Sequence, residues 1–321
     1  MCSEEDTVNP DTVHFRLAKK LEEKIRRHTV QLHFFRGETK ERERRGSGSG
    51  TLVKLKDRYF ILSAGHCVDD AGSPDLDEIA VLITTSPHEF KPKLIRRARY
   101  PDVDVGFFEV PCTDASTIEA KDRVFLSEGS ISIMSAEDLK ARNDWMCIGG
   151  YPGVLMEQKT DTGAGSRLLV YSTIIAGTGE TPKPTEAPER RCGMLDLWVP
   201  PSGNVLTTEH TNQPVAIPTL SGASGGGCWL LRVRPHKVNW SADDISLVGT
   251  HVGSWEETVS GEKHLFGREI LLSWHLVLIA KECPELKGVI EEKWPCVCGL
   301  GAHTNEPTPA HTNEPTPQSR P

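Results

Sequence analysis

The sequence predicts an all-β fold closed by a helix at each end, and three observations carry that prediction. From His28 onward the chain is built of short apolar runs broken by Gly, Pro, Asn and Asp, the texture of strands joined by turns. Several of these runs alternate apolar and polar residues with the period of two that sets one strand face on a core. A spacing of four appears before that region, and a long continuous apolar stretch appears near the end of the chain.

The bulk composition bounds the rest. With 321 residues and 37% hydrophobic side chains, the chain can bury one large core or two modest ones. The net charge of −8 arises from mixed charges rather than a basic stripe, so neither nucleic acid nor an anionic membrane is an expected partner. Glu4, Glu5 and Asp6 stand where a secretory leader needs a basic start and an apolar run of about 7–15 residues, so export is not expected and a cytoplasmic location is. No stretch reaches the roughly 18–20 apolar residues of a membrane-spanning helix; the best, 270–280, is interrupted by Ser273 and His275. The 9 cysteines are scattered singly, which in a reducing compartment predicts free thiols. Cys283, Cys296, Cys298 and His303 form a soft-ligand cluster, but it lacks a paired Cys-x-x-Cys knuckle, so no metal and no other cofactor is expected.

Taken in order, the elements begin with Asn9 as a cap and Pro10 in a first helical turn, where its missing N–H costs nothing. Val13, Leu17, Leu21 and Ile25 then recur every four residues and predict an amphipathic helix to about Arg27, either packed on its own domain or offered to a regulatory protein partner. Residues 30–34, 51–55, 59–62 and 79–83 are strand candidates, and the charge-dense segment 36–45 reads as a solvated loop. A polar stretch follows 105–108, with a short helix predicted over 135–140 by the approximate capping box of Ser135 and Asp138. A second set of strands falls at 145–148, 167–175, 195–199, 228–233 and 245–252, with an exposed loop at 177–191. Residues 270–281 predict a packed closing helix, ended by Pro284 just beyond it. The octet Ala-His-Thr-Asn-Glu-Pro-Thr-Pro at 302–309 repeats at 310–317, a composition too poor in apolar groups to order itself. The expected organisation is a helical extension at 1–27, a first β-domain at 28–134, a second with the closing helix at 135–290, and a disordered tail at 291–321.

Three local patterns carry chemistry. Leu62-Ser63-Ala64-Gly65-His66-Cys67 runs a strand into small residues and a histidine, a setting that alone suits a structural histidine as well as a general base. In Asp102-Val103-Asp104-Val105-Gly106-Phe107, a carboxylate opens an apolar strand. There it can be held with one oxygen facing a histidine and the other on backbone N–H groups, or it can be an ordinary loop aspartate. Asp104 is preferred to Asp102 because the apolar-small-apolar run follows it directly. In Gly222-Ala223-Ser224-Gly225-Gly226-Gly227, glycines permit the sharp turn and close approach that an exposed nucleophilic hydroxyl requires, although the run alone also suits a flexible Gly/Ser loop.

Together, these segments resemble the chymotrypsin-like (trypsin-like) serine peptidase family over roughly residues 28–285, the family on which the general Ser-His-Asp template rests. The family places a Ser/Thr-Ala-x-His-Cys segment, an Asp-hydrophobic-Ala/Gly-hydrophobic segment and Gly-x-Ser-Gly-Gly in this chain order. The resemblance implies two orthogonal six-stranded antiparallel β-barrels with His66, Asp104 and Ser224 in the cleft between them. It further implies an oxyanion hole from the N–H groups of Gly222 and Ser224, and a protein or peptide substrate.

Departures from the family refine this expectation. Ala223 stands where trypsin has the aspartate that receives a newly cleaved N-terminus, so activation by that ion pair is not expected. Residues 46–50 offer Cys67 no cysteine of the kind that secreted members pair with it. Pro218 replaces the aspartate that selects Lys or Arg. Thr219 and the Gly-x-His-x-Gly run at His251 and Gly253 instead match the setting in which glutamyl endopeptidases and picornavirus-type proteases bind a Glu or Gln side chain. His251 as a buried structural residue is the alternative. Two rival functions are an α/β-hydrolase esterase, which shares Gly-x-Ser-x-Gly but needs alternating strands and helices before the serine, and a catalytically silent protease fold used for binding.

Overall fold

The computed structural model describes residues 20–36, 43–70, 79–82, 89–100, 103–134, 138–139, 145–152, 156–159, 163–166, 169–174, 196–199, 204–206, 222–231, 245–259 and 262–295. Helix α1, residues 20–28, leads directly into β1 (Thr29–Arg36). Leu21 and Ile25, four apart, are buried, and the Thr29 hydroxyl donates to the Ile25 carbonyl at 2.8 Å, satisfying one of the acceptors that a helix end leaves open. Ile25 lies against Gly149, where a Cβ would come within 2.3 Å of it. Residues 20–28 therefore pack on the chain's own fold, while Val13 and Leu17 lie outside the described residues.

Strands dominate, and every ladder between them is antiparallel. The first sheet adds β2 (Glu43–Leu55), β3 (Arg58–Ala64), β4 (Ile79–Leu82), β5 (Glu89–Phe90), β6 (Arg96–Tyr100) and β7 (Val105–Val110), in the order β5-β4-β1-β2-β3-β7-β6. The second contains β8 (Trp145–Gly150), β11 (Leu169–Ile174), β12 (Asp196–Val199), β13 (Asn204–Leu206), β14 (Gly227–Leu231), β15 (Ile245–Val259) and β16 (Glu262–Leu272), in the order β12-β16-β15-β14-β8-β11-β13. A separate hairpin joins β9 (Met156–Lys159) to β10 (Gly163–Ser166). Among the described residues each large sheet has seven strands.

One contiguous apolar core draws on both sheets and the helices. In β1 the alternating residues Val30, Leu32 and Phe34 are buried as expected, but so are Gln31 and His33 on the opposite face. The strand is central in its sheet, between β2 and β4, and both its faces are covered.

Several expectations need correction. The charged segment 36–45 is not all loop: residues 43–45 begin β2, with Arg36 opposite Glu43, because hairpin pairing with β1 continues past the apolar run. Residues 270–272 belong to β16 rather than to the closing helix, since an apolar run has no period to distinguish the two states. Ser273, at φ 58°, makes the break, and α4 (Trp274–Glu282) follows. Pro284 does not merely end that helix but starts α5 (Pro284–Lys293), occupying a first-turn position. Two further helices, α2 (Gly65–Asp70) and α3 (Cys112–Glu119), arise where only loops and strand ends were expected. Of the short helix predicted over 135–140, residues 138–139 are described and are helical, while the predicted loop at 177–191 and the repeat at 302–317 lie outside the described residues.

The C-terminal helices cross back to the first sheet, although their chain neighbour β16 belongs to the second. Tyr100 of β6 meets Trp274 edge to face at 5.6 Å, Arg96 donates to the Glu282 carbonyl, and Arg58 pairs with both Glu109 and Glu285. No helix among the described residues is long and apolar enough to cross a membrane.

Candidate active site

The antiparallel ladder between β3 and β7 sets Ala64 opposite Val105, and thereby brings the end of one strand beside the start of the other. His66 lies two residues past β3, in the first turn of α2, and Asp104 lies immediately before β7. Asp104 adopts a left-handed backbone, φ 57°, which aspartate tolerates better than most residues. Its carbonyl accepts the Gly65 N–H at 2.8 Å and its own N–H donates to Tyr100 O at 3.0 Å, so the strained residue is tied on both sides.

The Asp104 carboxylate then grips the histidine twice. Oδ1 accepts the His66 backbone N–H at 2.8 Å, and Oδ2 lies 3.0 Å from ring Nδ1. The proton on Nδ1 that this contact requires leaves Nε2 as the free ring nitrogen. Burial opposes the charged imidazole, but the hydrogen bond it donates to Asp104 and the neighbouring Cys67 outweigh it and raise the His66 pKa from 6.5 to about 10. Asp102 lies outside the described residues.

Ser224 sits in a tight turn just before β14, half-buried. Gly222 and Gly225 flank it with φ of 92° and 88°, values that only glycine adopts cheaply. At Gly225 a Cβ would lie 2.1 Å from Ser49 O and 2.2 Å from Ser63 Oγ, so the turn presses directly on the first sheet. Gly226 N–H closes the turn on Ala223 O at 2.9 Å; across to β15, Gly225 N–H donates to His251 O at 2.8 Å and His251 N–H donates to Gly226 O at 2.9 Å. On the other side Ser49 N–H donates to Ser224 O at 2.8 Å, and the Cys67 thiol approaches the same carbonyl at 3.7 Å. Cys67 directly follows His66, so the turn bearing Ser224 and the turn bearing His66 are in contact. No hydrogen bond joins His66 to Ser224. Among the described residues, the Gly222 and Ser224 N–H groups have no backbone acceptor.

The proposed specificity residues are only partly described. His251 is buried in β15 with Nδ1 3.4 Å from Ala223 O, and Gly253 follows at an irregularity in the ladder with β16. Thr219 lies outside the described residues. Cys283 of the soft-ligand cluster is buried and accepts a hydrogen bond from Arg96 at 3.2 Å, while Cys296, Cys298 and His303 lie outside the described residues. The described cysteines Cys67, Cys112, Cys147, Cys228 and Cys283 are free.

Sequence reasoning missed the residues behind the turn. His275, on α4, is buried; its Nδ1 lies 2.9 Å from the Thr250 hydroxyl and its Nε2 3.1 Å from Ser63 O. Because Ser63 O can only accept, Nε2 carries the proton and the Thr250 hydroxyl donates to Nδ1. Burial, only partly offset by the Ser63 contact, lowers the His275 pKa to about 4. Ser63 Oγ in turn donates to Ser49 O at 2.8 Å. The interruption of an apolar run by His275 was the one visible signal. Compared with known proteins, the chain matches no family model and no curated protein sequence.

Proposed function

We propose that the chain is a chymotrypsin-like serine endopeptidase, with its two antiparallel sheets as counterparts of that family's two orthogonal six-stranded barrels. The observation that carries this reading is the Asp104–His66 pair set beside the glycine-bounded turn of Ser224, with hydrogen bonds at 2.8 and 3.0 Å. His66 Nε2 takes the proton from Ser224 Oγ as that oxygen attacks the scissile carbonyl carbon. The Gly222 and Ser224 N–H groups donate to the oxyanion, and the imidazolium, oriented by Asp104, then protonates the leaving amine. Water attacks the acyl-enzyme by the same route in reverse order. The missing His66–Ser224 hydrogen bond is compatible with this route, since such contacts are often long in an empty enzyme and tighten on substrate.

Glu or Gln before the scissile bond is the proposed preference. His251 supports it, because its N–H donates to Gly226 O and its carbonyl accepts from Gly225 N–H, which ties it to the Ser224 turn; Gly253 and Thr219, the latter outside the described residues, are the other proposed contacts. The free described thiols fit a reducing, intracellular compartment, in which a regulated enzyme with few protein substrates is the proposed role.

The second reading is a catalytically silent protease fold that binds without cleaving. The missing His66–Ser224 hydrogen bond favours it. A degradomic peptide library incubated with the wild-type chain and with Ser224→Ala decides between them. New N-termini that appear with the wild type alone, enriched after Glu or Gln, support the peptidase; cleavage after Lys, Arg or large aromatics removes the proposed preference; identical profiles for both proteins favour the silent module.

A further inference from the structure

We infer that Ser49 is a positioning residue for the oxyanion-binding turn, acting through its side-chain hydroxyl, a role that rests on Ser224 being the nucleophile. Ser49 is fully buried in β2, and each of its four hydrogen-bonding groups is engaged. Its N–H donates to Ser224 O and its carbonyl accepts from Ser63 Oγ, both at 2.8 Å. Its Oγ donates to Gly222 O at 2.8 Å and accepts from Tyr151 N–H at 2.9 Å.

The direction of the hydroxyl proton follows from its partners. Tyr151 N–H can only donate and Gly222 O can only accept, so the Ser49 proton points at Gly222 O. That carbonyl belongs to the peptide unit between Gly222 and Ala223, which separates the two proposed oxyanion donors, Gly222 N–H and Ser224 N–H. At φ 92° and without a Cβ, Gly222 has little steric reason to hold one orientation of that unit. The Ser49 hydroxyl supplies the missing restraint. Ala223 O and Ser224 O are already held, by Gly226 N–H at 2.9 Å and by Ser49 N–H at 2.8 Å. With Gly222 O also fixed, three successive carbonyls face into the protein, and the relation between the two donor N–H groups is set before substrate arrives.

The test compares Ser49→Ala and Ser49→Cys with Thr29→Ala, which removes another buried hydroxyl, the one donated to Ile25 O at 2.8 Å, far from the turn. Steady-state kinetics on a peptide substrate and hydrogen exchange of the 222–226 amides are read on the full chain, with melting temperature as the check on folding. Ser49→Ala is expected to lower kcat by roughly 10- to 100-fold with KM within about twofold, as a small misplacement of catalytic groups does. Ser49→Cys, which keeps a weak donor, is expected to fall between, and Thr29→Ala to stay within about twofold of wild type. Exchange at 222–226 is expected to quicken in Ser49→Ala alone. Equal kcat and equal exchange in Ser49→Ala and wild type would overturn the inference, as would a fall in kcat that Thr29→Ala reproduces. If Ser49→Ala does not fold, Ser49→Cys carries the same comparison. A wild-type chain without turnover would refute the peptidase reading instead, and the exchange data would still decide whether Ser49 clamps the turn.

Discussion

Asp104 binds His66 at two points, its Oδ1 accepting the backbone N–H at 2.8 Å and its Oδ2 facing ring Nδ1 at 3.0 Å. The two contacts fix both the position of the residue and the rotation of its ring. They also fix the tautomer, because a carboxylate accepts from Nδ1 and leaves Nε2 free to act as a base.

Asp104→Asn is therefore expected to keep the fold but cost about 10⁴-fold in kcat, since the amide permits the wrong tautomer. Circular dichroism and peptide turnover measured together check this. A loss below about tenfold would mean that the ring is oriented by something else.

The pH dependence of turnover follows from the same pair. A general base works in its neutral form, so kcat/KM is expected to rise with pH along a limb displaced upward from 6.5, towards about 10, as Asp104 and Cys67 outweigh burial. For stability the sign is opposite: the charged pair contributes fully below about pH 6.5 and its contribution is lost as pH rises through about 10. With the His66 side chain 48% exposed, solvent screening holds that contribution to no more than about 1 kcal/mol.

His28 and His275 should dominate the acid side. Both are buried and their pKa values are lowered from 6.5 to about 4, chiefly by burial, so the unfolded chain takes up protons before the folded one does. Stability is expected to fall as pH drops from about 6.5 to about 4, by up to about 3 kcal/mol for each group, and to level off below. Urea titrations across that range check the slope. His275→Gln, a neutral side chain able to donate to Ser63 O, should flatten about half of it; an unchanged slope would contradict the assignment.

Gly225→Ala tests the turn itself. A Cβ at that φ of 88° would meet Ser49 O at 2.1 Å, so either the turn or β2 must move. The expected outcome is a loss of at least about 1–3 kcal/mol of stability together with loss of turnover, read by denaturant melts and peptide hydrolysis.

What could be read from the sequence was what is local in the chain. His66, Asp104 and Ser224 each sit in a short segment whose small and apolar neighbours reveal a strand end or a turn. The strand that follows it marks Asp104, and Asp104 does contact His66. Ser49, Tyr151, Ser63 and His275 gather behind the Ser224 turn only through the packing of β2, β3, β8 and α4, and no spacing in the chain announces that. Backbone alternation marked one face of β1 but could not show that Gln31 and His33 would also be covered. The break at Ser273 was hidden because a continuous apolar run suits a buried strand and a buried helix equally.

The most direct test of the central claim is reaction of the intact chain with a fluorophosphonate, in which Ser224 Oγ bonds to phosphorus as fluoride leaves and His66 takes the proton. A single adduct is expected, mapped to Ser224 by tandem mass spectrometry and abolished in His66→Ala. An adduct on another residue, or none from a folded chain at any pH between about 6 and 10, would contradict it.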